Sequence, residues 1–107
     1  MDRRRDLGRV GERIAERYLA ERGVQVMRRN VQMAGGEIDL VGVVDGVLTA
    51  IEVRSVTGAI DPSLLFPHSK RMRVARLARV AGCHRVDLVA VHLGSDGVEV
   101  RWFRDVK

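Results

Sequence analysis

The sequence predicts an α/β domain in which helices pack on the faces of a mixed β-sheet, in the order αβββαββ. Three observations lead there. Two stretches carry apolar residues at helical spacing, several runs are rich in Val, Ile and Leu, and an Asp45-Gly46 pair sits between two of those runs where a tight hairpin belongs. Strand runs interrupted by helices need cover from those helices, which is a sandwich.

Each element has its own signal. Leu7, Val10, Ile14, Tyr18 and Leu19 form one helical stripe from Leu7 to Arg22, and Gly23 supplies the residue that ends a helix in the left-handed conformation. Val24 to Met33 alternates loosely as a strand, and Ala34-Gly35-Gly36 turns the chain. Glu37 to Val44 and Val47 to Arg54 then pair antiparallel about Asp45-Gly46. Thr57 to Pro67 is a loop or broken turn with prolines at 62 and 67. Ser69 can cap a second helix from Lys70 to about Gly82. Asp87 to Leu93, nearly all apolar, is a buried strand; Gly94 to Gly97 turns into an edge strand, Val98 to Phe103.

At 107 residues the chain has one domain's worth of length, 1–107, so a two-domain enzyme is not expected. With 46% hydrophobic and 31% charged residues, it is neither disordered nor fibrous in composition. The basic start, Met1 to Arg5, runs into an amphipathic stretch and not an apolar segment, so no secretory leader or membrane partner is expected. One cysteine, Cys83, excludes an internal disulfide and a zinc ribbon and fits a cytoplasmic setting. The formal charge is +5, and 17 of the 19 basic residues are arginine, the better fork for phosphate. A polyanion is therefore the partner to test first.

The hairpin organises the chemistry. Residues whose numbers sum to 91 face each other across a two-residue Asp45-Gly46 turn, which sets Asp39 opposite Glu52 and Glu37 opposite Arg54. By strict alternation these four share one face, and Ile38, Leu40, Ile51 and Val53 share the other. Directly opposed residues stand about 5 Å apart at Cβ, where two carboxylates repel unless a cation lies between them. Two carboxylates, the backbone carbonyl of Val53 and water would give Mg²⁺ (or Mn²⁺) its hard oxygen ligands, with substrate phosphate completing the shell. The alternative is that Asp39 and Glu52 point to solvent, each near an arginine.

Two helical residues bear on the choice. Lys70 shares a stripe with Val74, Leu77, Ala78 and Ala81, which puts a cation at a helix N-terminus, where the dipole favours anions, so it needs an anionic partner. Glu12 borders the apolar stripe of helix one, with Gly8 and Ala15 permitting close approach to the sheet; it either reaches the metal or pairs with a surface arginine.

Gly11-Glu12, Gly36-Glu37-Ile38-Asp39-Leu40-Val41, Ile51-Glu52-Val53-Arg54, Ser69-Lys70-Arg71 and Arg85-Val86-Asp87-Leu88-Val89 together resemble the bacterial YraN-like family, over nearly the whole chain. That family is similar to Holliday-junction resolvases of the PD-(D/E)xK nuclease superfamily. The resemblance implies a restriction-endonuclease-like core, Asp39 and Glu52 as metal ligands, Glu12 as a further acidic member, and a basic residue two after Glu52. It also raises a homodimer as an assembly to test. The superfamily lysine is replaced here by Arg54, which cannot give up its proton but can hold phosphate or stabilise developing charge. Glu37 opposite could neutralise it, so Lys70 is expected nearer the substrate phosphate.

Other features are weaker. His68, His84 and His92 lack zinc spacing, and Gly35-Gly36 lacks the residues of a phosphate loop. Arg71, Arg73, Arg76 and Arg79 project from the outer side of helix two and, with Arg3, Arg4 and Arg5, form a candidate phosphate track; a solvated face is the other reading. Tyr18, Phe66, Trp102 and Phe103 are too few for base stacking to dominate. The sequence thus points to a Mg²⁺-dependent endonuclease-like domain hydrolysing phosphodiesters in DNA, branched DNA included; the rival is a noncatalytic nucleic-acid-binding module that keeps the fold.

Overall fold

The computed structural model describes residues 3–106, with side chains from Asp6 onward, so the side chains of Arg3, Arg4 and Arg5 lie outside the described residues. In chain order the elements are α1 (Arg3–Glu21), β1 (Gln25–Met33), β2 (Gly36–Val44), β3 (Val47–Val56), α2 (Pro62–Leu65), α3 (His68–Val80), β4 (Arg85–Gly94) and β5 (Gly97–Phe103). The five strands form one sheet in sequence order. Every neighbouring pair is antiparallel except β3 and β4, which run parallel and are joined by the α2–α3 crossover that parallel strands require. This mixed sheet flanked by helices is compatible with a restriction-endonuclease-like fold. No described helix is long and apolar enough to cross a membrane.

The central hairpin forms as its turn chemistry demands. Asp45 and Gly46 both take positive φ, 48° and 79°, the twist that matches two right-handed strands. The register runs from Val44↔Val47 to Leu40↔Ile51, every pair summing to 91.

The middle of the sheet is covered on both sides, and strict alternation fails at one point. Leu40, Val44, Ile51, Val53, Val89 and Val91 pack with Ala15 and Leu19 of α1. Val31, Ile38, Val41, Ala50, Val86 and Leu88 pack with Val74, Leu77 and Ala78 of α3. The expected division into one apolar and one charged face is thus corrected: both faces are apolar, and Ile38 lies in the opposite core from Leu40. The change of face falls at Asp39. Its neighbour on β1 is Asn30, placed between the pairs Arg29↔Leu40 and Val31↔Ile38 and held at a φ of 49°. A left-handed residue inside a strand breaks the two-residue period, and Asn is among the few residues that adopt it readily.

Two further expectations change. The segment read as a loop contains α2, capped by Asp61, whose Oδ1 accepts from Ser63 N at 3.0 Å and Ser63 Oγ at 2.7 Å. The next helix starts at His68 after Pro67, with no side-chain cap, so Ser69 lies in its first turn and does not cap it.

One carboxylate belongs to the frame. Asp87 on β4 is fully buried and takes two bonds from Arg85 at 2.9 Å each, one from Trp102 Nε1 at 2.9 Å and one from Asp105 N at 2.9 Å. Each oxygen accepts twice, which ties β5 and the segment after it to β4.

Candidate metal centre

Beyond Leu40↔Ile51 the β2–β3 ladder opens, and the Asp39 carboxylate enters the gap. Its Oδ2 accepts from Val53 N at 2.9 Å, a backbone donor facing the gap. The carboxylate lies at the end of that ladder close enough to Glu52 for the two charges to interact, and both line one cavity. A cavity of about 470 Å³ opens there, lined by Glu12 of α1, Glu37 and Asp39 of β2, Glu52, Val53, Arg54 and Ser55 of β3, and Arg73 and Val74 of α3. Close approach of α1 is what brings Glu12 in: a Cβ on Gly11 would sit 1.8 Å from Ser55 Oγ, and that hydroxyl donates to Leu7 O at 3.3 Å. A side chain at position 11 would have to displace the Ser55 hydroxyl, and with it the bond to Leu7 O, and would still meet Ser55 Cβ at 3.2 Å.

Glu12, Glu37 and Asp39 each offer an oxygen within 4.8 Å of the others. Asn30 Nδ2 donates to Glu37 Oε1 at 2.8 Å and to both Glu12 oxygens at 3.2 Å. Glu52 has a different partner: Arg54 Nη2 lies 2.7 Å from its Oε2. Four carboxylates and two guanidiniums therefore line the cavity, leaving two negative charges uncompensated when all are ionised. The strain shows in the proton affinities. Burial, and then the Glu52 charge beside it, push Asp39 up to about 7. Burial also raises Glu12, opposed by the Asn30 hydrogen bond and assisted by the charges of Asp39 and Glu37.

The cations are not where the sequence placed them. Arg54 pairs with Glu52 on its own strand, two residues away and on the same side, and not with Glu37 across the hairpin, because the opened ladder carries Glu37 toward Asn30 instead. Lys70 is half-buried on α3 but does not line the cavity; Arg73, nearly one turn further along, does. The four helix arginines do not share one outer face. Arg71 is half-buried in a separate hollow with Phe66, Leu88 and Val106, Arg76 lies by Gly35 in the β1–β2 turn, and Arg79 borders Cys83 and His84. Val53, expected as a carbonyl ligand, lines the cavity and meets Asp39 through its N–H.

Residues 11–91 match the description of Uncharacterised protein family UPF0102. The chain belongs to that family. A UPF0102 protein of Roseiflexus castenholzii is 38% identical over 92% of this chain and 88% of its own length. Others from Marinobacter nauticus and Anaeromyxobacter dehalogenans are 33% and 37% identical over 94% and 95% of the chain, covering 91% and 84% of theirs. This is the YraN-like family its motifs resemble, and the matched span contains every cavity-lining residue from Glu12 to Val74.

In this UPF0102 chain two members of the site are less legible in the sequence: Glu37 is expected only to neutralise Arg54, and Asn30 belongs to no motif. A signal for Asn30 existed: across a two-residue Ala34-Gly35 turn, positions summing to 69 pair, as Val31↔Ile38 and Met33↔Gly36 do, which sets Asn30 beside Asp39.

Proposed function

We propose that this UPF0102 chain is a metal-dependent endonuclease acting on phosphodiesters in DNA, branched DNA included. The observation that carries the reading is the meeting of four carboxylates from three elements at one strand fork, with more negative charge than the two arginines there can balance. The donor set is all hard oxygen, which fits Mg²⁺ or Mn²⁺ and not zinc. Asp39, Glu12 and Glu37 would hold the ion, and the Glu52 oxygen not bonded to Arg54 could share it. Bound there, the ion would supply a water of lowered pKa and neutralise charge on the phosphate.

The chain's own residues divide the remaining work. Val53 N–H orients the Asp39 carboxylate. Arg54 holds Glu52 and, being permanently protonated, stabilises negative charge without abstracting a proton. Arg73 presents a guanidinium at the cavity, where a phosphate oxygen would be its partner.

The test is cleavage of linear, flapped and four-way DNA by the purified protein with Mg²⁺ or Mn²⁺. Asp39→Asn keeps an oxygen for Val53 N–H and removes the charge, so cleavage by the parent and none by the variant is expected. The Arg54–Glu52 pair favours one second reading, a noncatalytic DNA-binding module whose missing lysine has left a salt bridge in its place. Salt-sensitive DNA binding with no metal-dependent cleavage would establish that reading instead.

A further inference from the structure

Asn30 carries chemistry that the proposed hydrolysis does not yet use. It is exposed, it holds a φ of 49° inside β1, and its side chain spends both amide hydrogens on the acidic cluster. One bond runs to Glu37 Oε1 at 2.8 Å; the other is shared by the two Glu12 oxygens at 3.2 Å. Ionised carboxylates only accept, so the nitrogen and not the oxygen of the amide must face them. An aspartate or serine could not do this: the first has no donor and the second has one. Lysine has the donors but would bring a charge that competes with a metal ion.

We propose that Asn30 is a positioning residue for the metal, a neutral clamp that fixes the Glu12 and Glu37 carboxylates beside Asp39 before the ion arrives. This rests on the metal reading above. The left-handed backbone is what makes the clamp reachable, because it breaks the alternation of β1 where β2 also changes face. An exposed amide adds little to stability, since water competes for the same oxygens. Its effect lies in geometry: two carboxylates on different elements, α1 and β2, are held by one side chain from a third. Partners that orient metal ligands typically change affinity by about 10- to 100-fold when removed.

The test measures Mn²⁺ affinity of the full chain from the electron paramagnetic resonance signal of free Mn²⁺, for the parent, Asn30→Gly and Asn30→Asp. Both substitutes tolerate the φ of 49°, so a loss of folding is not expected, and thermal midpoints without metal check it. Asn30→Gly should bind about tenfold more weakly than the parent. Asn30→Asp, which adds a carboxylate, should bind more tightly than the parent and show the larger rise in midpoint on adding Mn²⁺. Equal affinity of Asn30→Gly and parent would overturn the clamp and leave Asn30 a turn residue. No Mn²⁺ binding by the parent would overturn the clamp and the metal reading together. The expected order of affinities in a protein that cleaves no DNA supports the clamp and removes only the hydrolytic reading.

Discussion

Asp39 and Asp87 are two inward-pointing carboxylates on one sheet, and their surroundings are opposite. Asp87 receives four hydrogen bonds, two of them from a guanidinium, and is fully buried. Asp39 receives one backbone N–H and stands near three other carboxylates, with a proton affinity raised to about 7 by burial and by Glu52. A buried charge that the protein itself satisfies holds the frame together. A carboxylate whose charge the protein compensates less has a raised proton affinity, and such perturbed carboxylates mark candidate sites.

That contrast breaks most easily at Asp87. Asp87→Ala strands Arg85 and frees Trp102 and Asp105 N, and should lower stability by about 3–5 kcal/mol, read from urea unfolding. Asp39→Asn should do the reverse: metal-free stability at pH 8 is kept or raised, while any Mg²⁺-dependent cleavage falls by about 10²-fold or more. If instead Asp39→Asn unfolds the protein and Asp87→Ala does not, the two roles are exchanged.

The pH dependence sharpens the same comparison. With Asp39 raised from 3.8 to about 7, the folded protein keeps a proton that the unfolded chain has lost. Its contribution is therefore fully present below about pH 4 and is lost as pH rises through about 7. In chelator, the parent should lose stability relative to Asp39→Asn across that interval, and Mg²⁺ should remove the difference. Matching pH profiles of parent and variant would contradict an unsatisfied Asp39.

The smallest effect concerns the cations. Arg73 lines the cavity and Arg76 lies by the adjacent turn, so DNA affinity should fall with salt at a slope of about −0.9 per phosphate contacted, flattened by about that much for each of Arg73→Glu and Arg76→Glu. Arg79→Glu, at the far end of α3, should leave the slope as it is. Equal effects at all three positions would mean a diffuse basic surface and not a track leading to the fork.

Short-range chemistry carried most of what the sequence determined by itself. The Asp45-Gly46 turn requires positive φ at both residues, and that alone sets the register that runs to Leu40↔Ile51 and brings Asp39 and Glu52 to one end of the hairpin. The strands, the two long helices and the buried stripe of α3 follow from similar local rules, whereas α2 does not, and Leu7 and Val10 of the expected α1 stripe are exposed. Tertiary structure decided the rest. Ile38 and Leu40 enter different cores because the two-residue period breaks at Asp39, beside the left-handed Asn30, and both faces are apolar because helices cover both. Arg54 chose Glu52 over Glu37 because the ladder opens at Asp39, and Arg73 reached the cavity where Lys70 did not because that depends on how α3 lies across the sheet. Register is a property of two strands and a turn. The partner of a charge is a property of everything packed around it.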